Sequence, residues 1–144
     1  MPYNRYLNGV IRSEHHAHGL SREITVEYDF ADLGGSAGAV TLTDVNNNAV
    51  TIPDNAIITS VIYEEITPMT SGGSATVALG ITGNTDAFIA AIAFDNAAYT
   101  TDVSKKENEV PLKTSAAVSV LATIATADLT AGKFRLHITY INGA

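Results

Sequence analysis

The chain contains no cysteine and no tryptophan. Without cysteine there is no disulfide framework and no thiolate metal site, so the fold must be held by its own core. Charge is scarce as well. Asp, Glu, Lys and Arg make up 16% of the 144 residues, against about 25% in ordinary soluble domains. Only 8 residues are Lys or Arg against 15 acidic ones, a net charge of −7. Phosphate backbones are held by clustered cations, and here the few cations are spread along the chain, which argues against a nucleic-acid partner. No run approaches the ~18 uninterrupted apolar residues of a membrane span. The opening MPYNRYLNGVIRSEHH also lacks the apolar core of a signal peptide. The expectations are no membrane partner, and a protein made and kept in the cytoplasm or released only with its producing cell.

The shortage of charge is local. Between Ile66 and Thr101 the only charged residues are Asp86 and Asp95, and none occurs from Thr114 to Ala127. A free monomer normally keeps its strand surfaces charged, which preserves solubility and blocks edge-to-edge pairing. Long Ala/Thr/Ser/Gly strands without Lys or Glu are expected where neighbouring chains cover them. The plainer alternative is that Thr, Ser and Asn supply enough polarity by themselves.

What is present is a succession of short alternating segments. Residues 1–22 show no steady period and read as an extended N-terminal arm, with a β-sandwich domain from 23 to 144. In EITVEYDF, Ile24, Val26, Tyr28 and Phe30 alternate with polar residues, the period of a half-buried strand. DLGGSAG is a loop, and GAVTLTD a strand with Val40 and Leu42 inward. DVNNN is a turn, and AVTI a short strand closed at Pro53-Asp54-Asn55. AIITSVIYEEIT is apolar on both faces, with Ile57, Val61 and Tyr63 on one and Ile58, Ile62 and Ile66 on the other. Such a strand is central, or faces the core on one side and a partner on the other.

Ala75, Val77, Leu79 and Ile81 alternate in the next strand. In TDAFIAAIAF the spacing of Phe88, Ile89 and Ile92, with Thr85 or Asp86 as cap, predicts one or two helical turns. DVSKKENEVPLKTS reads as an exposed loop, AAVSVLATIAT as a strand and DLTAGK as a turn. The chain closes on KFRLHITYI, where Phe134, Leu136, Ile138 and Tyr140 alternate with Arg135, His137, Thr139 and Ile141. Roughly eight strands with turns between them specify an all-β chain, an antiparallel β-sandwich or jelly roll.

Candidate chemistry is thin. His15, His16 and His18 stand within four positions beside Glu14. Extended, His16 and His18 share a face; helical, His15 and His18 do. Either offers two nitrogens, but a catalytic zinc takes three protein ligands and an ordered second shell, which a bare arm does not supply. Adventitious metal binding, a contact or pH-sensitive patch, and simple solvation are the remaining readings. His137 lies beside Arg135 with no serine or cysteine in a nucleophile motif. Glu64 and Glu65 are consecutive on a strand and point to opposite faces, so they form no acid/base pair with each other. The glycines of LGGSAG and SGGS lack phosphate-loop spacing. Asp44-Val-Asn-Asn-Asn lacks the glycine and terminal glutamate of a calcium loop, and reads first as a turn. These residues point to no enzyme, no cofactor and no metal, and to a protein that acts through its surface.

The runs VEYDFADLGGSAGAVTL, IPDNAIIT, SATVALGI and LTAGKFRLHITYI, in that order, resemble the small β-sandwich decoration, or cement, proteins of tailed-bacteriophage heads. The similarity extends from about Glu23 to Ile141. It implies a non-enzymatic virion protein on the outer surface of the capsid. Such a protein is commonly a homotrimer, binds the major capsid protein and stabilises contacts between capsomers. The arm has no counterpart in that resemblance. Its Tyr3, Arg5, Tyr6 and Arg12, with His15, His16 and His18, are candidate contacts to capsid or to another subunit, since Tyr and Arg are enriched in such anchors. Deleting residues 1–22 is then expected to leave the sandwich folded and to weaken attachment. The alternatives are a receptor- or glycan-binding head-fibre or tail-associated sandwich, displaying exposed tyrosines such as Tyr99, and a metal enzyme on a cupin-like jelly roll.

Overall fold

The computed structural model describes residues 21–144. Two antiparallel sheets pack face to face. The first has the order β1 (Ser21–Asp29), β9 (Leu129–Asn142), β3 (Ala56–Ser71) and β6 (Val103–Lys105), with the short β7 (Leu112–Lys113) also on β3. The second has the order β2 (Gly38–Thr41), β8 (Val120–Ala125), β4 (Thr76–Ile81) and β5 (Asn84–Ala93). Two single-turn helices, α1 (Phe30–Leu33) and α2 (Ala97–Thr100), sit at the connections. The fold is the expected all-β sandwich, and its connectivity is compatible with a jelly roll. β1 begins at Ser21, so Ser21 and Arg22, assigned to the arm by the sequence pattern, pair with Ile141 and Tyr140.

Alternation puts one side of each strand into the core. Val26 and Tyr28 of β1, Phe134, Leu136 and Ile138 of β9, and Ala75, Val77, Leu79 and Ile81 at β4 are all buried. Burying each large apolar side chain contributes roughly 1.5–3 kcal/mol relative to leaving it in water. The core centre is aromatic: Phe134 lies 5.3 Å from Tyr28 and 5.2 Å from Tyr63, centroid to centroid.

Three local expectations are corrected. The first concerns β3, where Ile58, Val61 and Tyr63 are buried together and Ile57 lies on the other face. A bulge is the reason: Ile58 pairs with Tyr140 and Ser60 with Thr139, so Thr59 is extra and the alternation shifts by one. The second is the expected helix over TDAFIAAIAF, which is strand β5, joined to β4 through Thr82 and Gly83 with Gly83 at φ 83°. Its helical spacing comes from a bulge as well. Ile89 and Ile92 face Leu79 and Val77, three steps on one strand against two on the other. The third is DLTAGK, where β9 already begins at Leu129 and the turn lies at 126–128, with Thr126 at φ 74°.

The segment read as an exposed loop, DVSKKENEVPLKTS, contains β6 and β7 and buries Lys106 and Thr114. The Thr114 hydroxyl donates to the Pro53 carbonyl at 2.7 Å and accepts from the Ala56 amide at 2.9 Å. That pins the start of β3 to the end of β7.

Candidate interaction surfaces

The outer faces of the two sheets differ in chemistry. Every charged strand residue except Asp86 lies in the first sheet. Alternation places Thr25 and Glu27 of β1, Arg135 and His137 of β9, and Glu64 of β3 on that sheet's outward side. Cross-strand pairing sets Glu27 opposite Arg135 and Arg135 opposite Glu64. The Arg135 Nε donates to Glu27 Oε2 at 2.8 Å, and Lys133 Nζ lies 3.9 Å from the same oxygen and 3.4 Å from Asp29 Oδ2. Glu27 is thereby compensated although it is only 6% exposed. Its backbone also pairs with Thr43, which covers part of the β1 edge.

On the same face the His137 ring bridges two strands, with Nδ1 at 3.0 Å from Thr25 Oγ1 and Nε2 at 2.9 Å from Glu64 Oε1. Hydroxyl, imidazole and carboxylate in that order mirror a nucleophile–base–acid relay. The row, however, lies across the outward face of three paired strands. Its evident role is to tie β1, β9 and β3 together. The sequence pattern placed His137 on this face; its partner Glu64 is reached only through the register.

The second sheet presents a different surface. Its outward positions include Ala39 and Thr41 of β2, Leu121, Thr123 and Ala125 of β8, and Thr76, Ala78 and Gly80 of β4. Thr123 sits mid-sheet, opposite Ala39 on one side and Ala78 on the other. Its Oγ1 is the single buried side-chain polar atom without a hydrogen-bond partner among the described residues. Such atoms are uncommon in finished structures.

A third feature is an open groove of about 420 Å³ where β5 and the stretch after β6 approach each other. Lys106 lines it and is 3% exposed. Its ammonium donates to Ser104 Oγ at 2.5 Å and stands 4.9 Å over the Tyr63 ring. Burial pushes the Lys106 pKa down. Nothing in the sequence pattern distinguished Lys106 from its charged neighbours.

The remaining sequence candidates resolve as follows. Tyr3, Arg5, Tyr6, Arg12, His15, His16 and His18 lie outside the described residues. Asp44 Oδ1 accepts the amides of Asn46 at 2.8 Å and Asn48 at 2.9 Å. These bonds, led by the one from Asn48, hold its carboxyl below the usual carboxylate range. Asp44 thus closes its own turn. Among the described residues no three His, Asp or Glu side chains cluster as a metal site. Tyr99 is not an exposed contact residue. It is fully buried, donates from its hydroxyl to the Val77 carbonyl at 2.7 Å, and accepts from Tyr63 on its own carbonyl at 3.0 Å. None of the described aromatic side chains is exposed.

No family model matches the chain, and no curated protein matches it in sequence. Solved structures do match. A chain of the cyanophage Pam1 capsid asymmetric unit aligns at TM-score 0.66 and 17% identity, over 99% of this chain and 99% of that one. A chain of the acid-stable capsid of Helicobacter pylori bacteriophage KHP30 aligns at 0.62 and 15% identity, over 88% and 91%. A chain of the Ralstonia phage GP4 capsid aligns at 0.61 and 15%, over 88% and 87%. What these chains share with the present protein is its fold, from one end of the sandwich to the other.

Proposed function

We propose that this protein is a structural virion protein. On this reading it is a decoration, or cement, protein that binds the outside of a phage head and fastens neighbouring capsomers of the major capsid protein. The observation that carries the reading is the segregation of charge: one sheet faces outward with an ion-paired surface, and the other with Ala, Thr, Gly and Leu. A surface of the second kind fits burial against other chains, and a closed ring such as a homotrimer covers it without leaving an open end. The fold likeness to chains of three phage capsids supports the virion assignment.

A net charge of −7 suits the exterior of a DNA-filled shell better than its lining. The described aromatics are all buried or half-buried, which weighs against a glycan-binding platform. The test is cosedimentation of the purified chain with expanded heads that lack it. Saturable binding and heads more resistant to disruption are expected. A strictly monomeric protein that ignores heads contradicts the proposal.

A further inference from the structure

The groove beside Lys106 lies on the open side of the sandwich, where β5, the last strand of the second sheet, approaches the end of β6 in the first. The outer edge of β5 is only half used. Asn108 donates through its amide to the Phe88 carbonyl at 3.0 Å and through its side chain to the Asp86 carbonyl at 2.9 Å; the Glu109 amide donates to Ala87 at 2.8 Å. Past Phe88, among the described residues, no backbone group of another segment bonds this edge up to Ala93. Ile89 to Ala93 contain no charge and no proline, and Ala90 and Ala91 are exposed. Edges of this kind accept a further strand unless something blocks them.

Two chemical features converge on that stretch. Phe88, Ile89, Ile92 and Ala98 give the groove an apolar floor. Lys105, Lys106 and Glu107 also line it, and among the described residues neither lysine pairs with a carboxylate. Lys106 has only one hydroxyl for its three donors, in a position 3% exposed. A buried ammonium without a counter-ion is costly, and an incoming carboxylate relieves that cost.

We propose that the 89–93 edge of β5 and the adjoining groove form a strand-docking site for an extended segment of another capsid chain. Backbone bonds to β5 supply affinity and side chains in the groove supply selectivity. Side chains at i and i+2 of a strand share a face, ~7 Å apart. The segment that fits therefore carries an apolar residue at one position and Asp or Glu two residues on, the first over Ile89 and Ile92 and the second toward Lys105 and Lys106. Residues 1–20 of this chain suit the site poorly, because they hold Arg5 and Arg12 against a single carboxylate, Glu14. The committed source is the shell protein, so the inference rests on the capsid-binding reading.

The test is amide hydrogen exchange of the full-length protein, free and bound to heads, together with head binding by Ala90→Glu and Lys106→Met. Amides in 89–93 should slow at least ten-fold on heads. Ala90→Glu, an exposed change at the groove mouth, should weaken binding at least ten-fold with unaltered circular dichroism. Lys106→Met keeps the apolar stem and should weaken binding several-fold without loss of thermal stability. Wild-type binding with unchanged exchange at 89–93 and full affinity of Ala90→Glu would overturn the docking site and leave the capsid reading intact. Protection already present in the isolated oligomer would overturn it in favour of a second copy. Failure of the wild type to bind heads overturns both.

Discussion

Tyr99 offers the sharpest test of how the two sheets are joined. Its hydroxyl reaches the Val77 carbonyl of β4, its carbonyl receives the hydroxyl of Tyr63 from β3, and the two rings meet edge-on at 5.6 Å. One residue on a single turn of helix thus links both layers. Tyr99→Phe keeps the ring and removes one donor, leaving a buried carbonyl oxygen with one bond fewer. The expected cost is roughly 1–3 kcal/mol, a fall in Tm of roughly 3–10 °C for a chain of this size. Tyr63→Phe interrupts the same path one bond earlier, so the two changes should not add. The double variant should lose less than the sum by at least ~0.5 kcal/mol. Urea unfolding monitored by circular dichroism gives the three values, with an unchanged m-value as the check that only stability moved. A Tyr99→Phe loss within ~0.5 kcal/mol of zero, or strict additivity, would refute the claim that this path ties the sheets.

Further outcomes follow from the same structure. Thr123→Lys, in the middle of the uncharged face, should raise the self-dissociation constant at least ten-fold with the fold intact; analytical ultracentrifugation checks this, and an unchanged mass would remove that face from the interface. Burial, aided by the Asp29 charge, pushes the Tyr28 phenol up to about 12, and burial raises Tyr63 and Tyr99 as well. The folded state then holds phenolic protons that the unfolded state releases above pH ~10. Stability from these groups is full below that pH and falls as pH rises through 10 toward 12; phenolate absorbance should appear for them only together with unfolding. Gly132 lies at φ 141°, and a Cβ there would stand 2.7 Å from Met69 Cγ. Gly132→Val should therefore cost at least ~2 kcal/mol, measured by the same urea titration. Deleting residues 1–20, which stops short of β1, should leave the melting transition in place and reduce head occupancy.

The sequence was most readable where strands alternate without interruption. In β9 and β4 the inward residues follow from the period of two, because their registers against β1 and β8 are unbroken. It misled where a bulge inserts one residue. Thr59 in β3 and the Ile89–Ile92 stretch of β5 each shift the phase, and a phase shift is a property of the partner strand. The surfaces were only half legible. The charge-poor segments pointed to covered strands, and β4, β5 and β8, which they supply, lie together in one sheet. Lys106 and the Thr25–His137–Glu64 row were hidden, because their meaning lies in residues 43 and 73 or more positions away that only the folded chain brings together. Tyr99 looked like an exposed contact because one helical turn has too little periodicity to show which way it faces.

The most direct measurement is the position of this chain in an image of the intact particle. The account predicts density on the outer surface, bridging capsomers, with the β2–β8–β4–β5 face turned toward other chains and the ion-paired sheet toward solvent. Density inside the shell, or a solitary copy with that uncharged face bare to water, would contradict it.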